Sequence, residues 1–196
     1  MEKAIHYQDT RERILIVGES LLIGRGFTAL GLSEILSTAK VPKGSFYHYF
    51  QSKEGFGVAL LERYFSEYDT RLTCLLSDQS RPVRSRIIAY FQGWRAMSAD
   101  NNCHHTCLAV KLAAEVSDLS EPMRCALDRG MDSIIAQLAG AIRLAQSQGS
   151  VLARSDAAQL AETLYSMWVG ASLLSKVKRS PQPLDLAYQH TELLLQ

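Results

Sequence analysis

Apolar residues recur along the chain at spacings of three and four, with no sustained alternation and no internal repeat, so the sequence predicts an all-α fold of about nine helices. A first helix is expected from about Asp9, whose carboxylate suits an N-cap, through Ile14, Val17, Leu21 and Leu22 to a stop at Gly24-Arg25-Gly26. Leu32 to Ala39 reads as a two-turn helix. Lys40-Val41-Pro42 follows, and Pro42 suits the opening of a next helix over Lys43 to Phe50, where a first-turn N–H is not needed. Ser52 is placed to cap a long helix running to about Leu76. Ser77 to Pro82 is the clearest linker, and further helices are expected at about 83–99, 105–116, 120–147, 155–178 and 184–195.

Residues 32–50 therefore read as helix, tight turn, helix. Phe46 and Phe50 are four apart and share one face, which is expected to pack on Ile35 and Leu36. The other face carries Lys43, Ser45, Tyr47, His48 and Tyr49, in the kind of helix that enters the major groove in helix-turn-helix proteins, and Gly44 leaves the backbone open to close approach. Charge sharpens this picture. The net charge is only +1, but residues 40–53 hold Lys40, Lys43 and Lys53 with no Asp or Glu among them. Lys53, in the first turn of the following helix, is expected to position a phosphate rather than read a base. The competing reading makes Tyr47, His48 and Tyr49 aromatic packing between short helices.

The stretch Gly26-Phe27-Thr28 through Val41-Pro42-Lys43-Gly44-Ser45-Phe46-Tyr47-His48-Tyr49-Phe50-Gln51-Ser52-Lys53 closely resembles the N-terminal signature of TetR-type repressors. The resemblance implies a three-helix DNA-binding head, here 1–53, and a larger helical regulatory and dimerisation body, here 54–196. It places Ser33, Lys43, Gly44, Ser45, Tyr47, His48, Tyr49 and Lys53 on DNA-contacting positions of a double-stranded, palindromic operator. Gly31 departs from the pattern, where many members carry a Thr or Ser cap.

In the C-terminal half, residues 157–174 are small or apolar over a wide arc, so that helix must be buried on several sides. With the last helix it resembles the pair through which this family forms a four-helix homodimer interface. Leu160, Leu164, Met167, Trp168, Ala171 and Tyr188 are the expected interface residues, and an ordinary monomer core is the alternative.

Cys103-His104-His105-Thr106-Cys107 is the most unusual cluster. Three readings stay open for it: a metal site, a plain loop and helix start, or a reactive thiol. A reactive thiol needs a helix N-terminus or a cation, and Cys107 is expected near a helix start with Lys111 one turn on. The segments 107–120 and 168–176 resemble a branch of the family that responds to electrophiles and oxidants through a cysteine matching Cys107, with a lysine matching Lys176 nearby. Cys103 is the alternative partner. A reversible small-molecule inducer among Tyr90, Phe91, Trp94 and Trp168 is the rival. Cys74 and Cys125 sit in apolar helical patterns and are expected to be buried.

Hydrophobic residues make up 47% of the 196, which is ample for a core and excludes general disorder. No run is long enough to span a membrane, and four cysteines without a CxxC pair do not suggest a disulfide framework, so a cytoplasmic protein without cofactor or resident metal is expected. An enzyme built on the cysteines is disfavoured, because no general-base constellation accompanies them and it leaves the basic 40–53 stretch unexplained.

Overall fold

The computed structural model describes residues 2–99, 108–153 and 155–196, and the described residues form helices and connections without strands. The helices are α1 (Glu2–Arg25), α2 (Leu32–Ala39), α3 (Lys43–Phe50), α4 (Lys53–Ser77), α5 (Val83–Ala99), α6 (Leu108–Val116), α7 (Glu121–Ser147), α8 (Ala157–Lys178) and α9 (Gln182–Leu194). The all-α expectation holds. α1 starts seven residues before Asp9, because residues 2–8 contain no Gly or Pro and several strong helix formers, so propagation outruns the cap signal. α9 starts at Gln182 with Pro183 inside its first turn, where a missing N–H costs nothing. The expected start of α6 at 105 falls outside the described residues.

The chain divides into two compact units, Met1–Phe65 with Lys111–Asp128, and Ser66–Val110 with Arg129–Gln196. In the first, Ile14, Leu15 and Leu22 of α1, Ile35 of α2, Phe46 of α3, Phe56, Leu60 and Leu61 of α4, Leu112 of α6 and Met123 of α7 are fully or almost fully buried. Arg63 pairs with both Glu12 and Glu19, joining α4 to α1. The α3–α4 connection is tight. Gly55 lies so close to the end of α3 that a Cβ there would sit 2.3 Å from the Phe50 carbonyl oxygen, while the Ser52 hydroxyl accepts from the Gly55 N–H at 2.9 Å, as its capping role requires.

In the second unit the core is aromatic. Phe91 stacks on Trp168 at 5.2 Å, Trp94 lies 5.8 Å from Trp168 and 6.0 Å from Tyr90, and all four are buried. The indole N–H groups are satisfied, Trp94 donating to Ser172 Oγ and Trp168 to Thr191 Oγ1, each at 2.9 Å. The rings expected around a ligand are thus packed on one another. Asp156 caps α8 by accepting from Ala158 and Gln159. Arg95 of α5 pairs with Asp185 of α9 at 2.7 Å. The two cysteines expected to be buried are not: Cys74 is exposed, turned away from buried Leu72, and half-buried Cys125 donates its thiol to Glu121 Oε1 at 3.3 Å.

Replacing Gly55 by Ala should cost about 1–3 kcal/mol, because the added methyl meets a backbone oxygen rather than a movable side chain. Thermal or urea unfolding of Gly55→Ala checks this, and an unchanged midpoint would mean the α3–α4 joint is looser than described.

Candidate nucleic-acid interface

The face division of α3 begins with its two phenylalanines. Phe46 is fully buried and Phe50 nearly so, and with Phe56 they form a triangle of rings 5.2 to 5.5 Å apart. Anchored there, the helix turns Lys43, Gly44, Tyr47 and His48 outward, with Ser45 and Tyr49 half-buried at the margin. Tyr47 is 44% exposed even though its ring edge meets Phe46 at 5.7 Å, so it packs and still presents surface. Lys43 Nζ lies 5.8 Å over the Tyr47 ring. Ser33 is exposed on the first turn of α2, whose N-cap is Gly31 in an extended conformation with no side-chain cap.

Lys53 is placed differently. Its ammonium donates to the Thr28 carbonyl at 3.3 Å and lies 4.9 Å over the Phe27 ring. Burial pushes its pKa down, and attraction from Glu115 offsets this only in part.

That glutamate belongs to a joint with no signal in the local sequence. Gly26 turns the chain after α1 with φ +87°. The following N–H groups of Phe27 and Thr28 donate to the Glu115 carboxylate of α6 at 2.9 and 2.6 Å. One turn earlier on α6, Lys111 donates to the carbonyls of Leu22, at 2.9 Å, and Ile23, satisfying the C-terminal end of α1. The lysine expected to activate Cys107 is therefore committed to α1. Burial raises the Glu115 pKa, but the bonds from Thr28 and Phe27 and the attraction of Lys111 outweigh it and hold the carboxyl below its ordinary value. Below this joint, Ser120 donates to Glu54 at 2.6 Å.

The surface of α8 and α9 also differs from expectation. Leu164 and Trp168 have no exposed surface and Leu160 is 6% exposed, so these three pack into the chain's own core, whereas Met167 and Ala171, the latter 7% exposed, line a groove on the outer side. Tyr188 is half-buried, its hydroxyl accepting from Gln92 of α5 at 2.8 Å. The wide apolar arc has two sides, and periodicity does not say which is inward. The outward side carries Leu173, Leu174 and Val177 of α8 and Leu186, Leu193 and Leu194 of α9. A groove of about 480 Å³ runs between the helices, lined by Met167, Gly170, Leu174, Leu186 and His190 among others.

Lys176 is exposed on the last turn of α8. Cys103 and Cys107 lie outside the described residues, as does the Cys/His cluster between them; among the described residues no three His, Cys, Asp or Glu side chains gather as a metal site, and no helix is long and apolar enough to cross a membrane.

An anchored α3 that turns a polar face outward, following α2 across a tight turn, is the arrangement of a helix-turn-helix regulator. Residues 14–60 match the N-terminal model of the tetR family of bacterial regulatory proteins, and residues 84–191 match the tetracycline repressor-like C-terminal domain. The chain belongs to the TetR family of transcriptional regulators. It is 47% identical to the HTH-type transcriptional repressor NemR of Escherichia coli over 94% of this chain and 92% of that one. The crystal structure of the reduced form of E. coli NemR superposes with a TM-score of 0.91 over 96% of this chain and 97% of that one. The repressor DhaR of a Mycobacterium species is 33% identical over 89% and 86% of the two chains.

With its folded pKa depressed, the Glu115 carboxylate contributes stability that is complete above the ordinary glutamate value of about 4.3 and is lost as pH falls through the folded value. Glu115→Gln should therefore be less stable than wild type by roughly 1 kcal/mol at pH 7, with the gap closing below about pH 4. Paired unfolding curves across pH test this, and a gap that stays constant with pH would mean the charge has no part in the joint.

Proposed function

We propose that this chain is a homodimeric transcriptional repressor that reads a palindromic operator through α2 and α3 and releases it when an electrophile or oxidant modifies Cys107. The observation that carries the DNA-reading part is the division of α3: buried Phe46 and Phe50 on one side, and exposed Lys43, Tyr47 and His48 on the other with Ser45 at the margin, the face that would address a major groove. Ser33 and Tyr49 flank this face. Residues 1–53 serve as the DNA-binding part and 54–196 as the regulatory and dimerising part. The outward apolar residues of α8 and α9, Leu174 and Leu186 foremost, are the surface two copies would share.

The sensing part is supported by the 47% identity to NemR, whose structure is described as a reduced form, and by chain order. Cys107 immediately precedes α6, the helix whose Lys111 and Glu115 hold the α1–α2 connection. A thiolate adding to an activated alkene forms a C–S bond while the adjacent carbon takes up a proton; a chlorine oxidant yields a sulfenic acid and chloride, and the sulfenic acid can condense with Cys103 or with the amine of Lys176. Either product changes size and polarity at the head of α6. A coupling of about 1–3 kcal/mol between that change and the DNA-binding state would shift affinity roughly 5- to 150-fold.

Two measurements test these parts separately. In fluorescence anisotropy on a duplex selected by the protein from a randomised pool, Tyr47→Ala should lose about 1–3 kcal/mol of discrimination against altered bases, and Lys43→Ala should weaken binding; undiminished binding by both would remove α3 as the reading helix. Treating the wild-type complex with N-ethylmaleimide should release the duplex and add the reagent's mass at position 107. A Cys107→Ser variant that still released it would place the sensor elsewhere.

A further inference from the structure

We propose that Lys40 is a phosphate-binding residue of the DNA interface, presented by a left-handed turn between α2 and α3 that would suit glycine better. The inference rests on reading α2 and α3 as the DNA-binding pair. Three lysines occupy the acid-free stretch 40–53, and their surroundings separate them. Lys53 is drawn in by the Thr28 carbonyl and the Phe27 ring, and Lys43 lies over Tyr47. Lys40 is exposed, and no acceptor among the described residues takes its ammonium.

The backbone of Lys40 is the second observation. It adopts φ 54° and ψ 48°, with its N–H turned back to the carbonyls of Leu36 and Ser37 to close α2. For an L-residue with a Cβ this region is strained, and lysine lacks the short polar side chain that eases Asn or Asp into it. A long cation held in a strained turn, three residues before the first residue of the reading helix, points out where that turn would pass the phosphate strand flanking the groove. The charge that anchors the head beside α3 then comes from the turn, while Lys53 braces the α1–α2 connection.

The test compares wild type, Lys40→Gly, Lys40→Gln and Lys40→Arg on the duplex selected by the wild-type protein and on a random duplex, between about 0.05 and 0.3 M salt. Loss of one phosphate contact per head lowers the slope of log affinity against log salt by about 0.9 per head and weakens binding about 5-fold per head near 0.15 M. The proposal expects this for Lys40→Gly and Lys40→Gln on both duplexes, a raised thermal midpoint for Lys40→Gly alone, and the wild-type slope restored in Lys40→Arg. Wild-type slopes in the Gly and Gln variants would overturn the role of Lys40 while leaving the DNA-binding reading intact. A wild-type protein that selected no duplex from the randomised pool and did not bind the random one would overturn that reading and this inference with it.

Discussion

The Glu115 carboxylate, taking the backbone N–H groups of Phe27 and Thr28, is the interaction on which the unit holding α2 and α3 is organised. Gly26 ends α1 in a left-handed turn, and the amides that follow have no helix to join. Without this acceptor the half-buried Phe27 amide would be left unsatisfied and the exposed Thr28 amide would turn to water. Lys111 serves the end of α1, donating to the Ile23 carbonyl and to the Leu22 carbonyl, which also accepts the Gly26 N–H. One face of α6 thus supplies an anion to backbone donors and a cation to backbone acceptors at the end of α1, one turn apart.

This joint gives the proposed switch a physical form. Charged hydrogen bonds to backbone are directional, so a shift of α6 along or about its axis cannot be absorbed as a loose apolar contact could. Position 107, where the covalent change is proposed, adjoins the first residue of that helix in the chain. Lys53 extends the same joint into α4, bonding Thr28 and lying over Phe27, so the connection is gripped from two helices.

In the unit holding α8 and α9, the same sequence feature serves two ends. The inward stripe of α8, from Leu160 through Leu164 to Trp168, completes an aromatic core whose indole N–H groups find Ser172 and Thr191. The outward stripe leaves Leu174 and Val177 exposed beside Leu186 of α9. A helix with one apolar side in the core and another left exposed accounts for the wide arc that periodicity alone could not divide.

Much was legible in the sequence because it depends on local spacing. The boundaries of α2 and α3, the Ser52 cap, the burial of Phe46 and Phe50 and the outward set Lys43, Tyr47 and His48 all follow from positions within four residues of one another. What spacing could not supply were contacts between residues some 90 positions apart and the choice between two apolar faces. Glu115 looks like an ordinary solvated helix residue, and Lys111 like a cation for Cys107, until the fold brings them to the end of α1. Trp168 and Leu164 look like interface residues until Phe91 covers one of them. Helix formation is decided along the chain, where neighbours are set by covalent geometry. Which face is covered and which orphan backbone group a charge satisfies are decided only when distant segments compete for the same space.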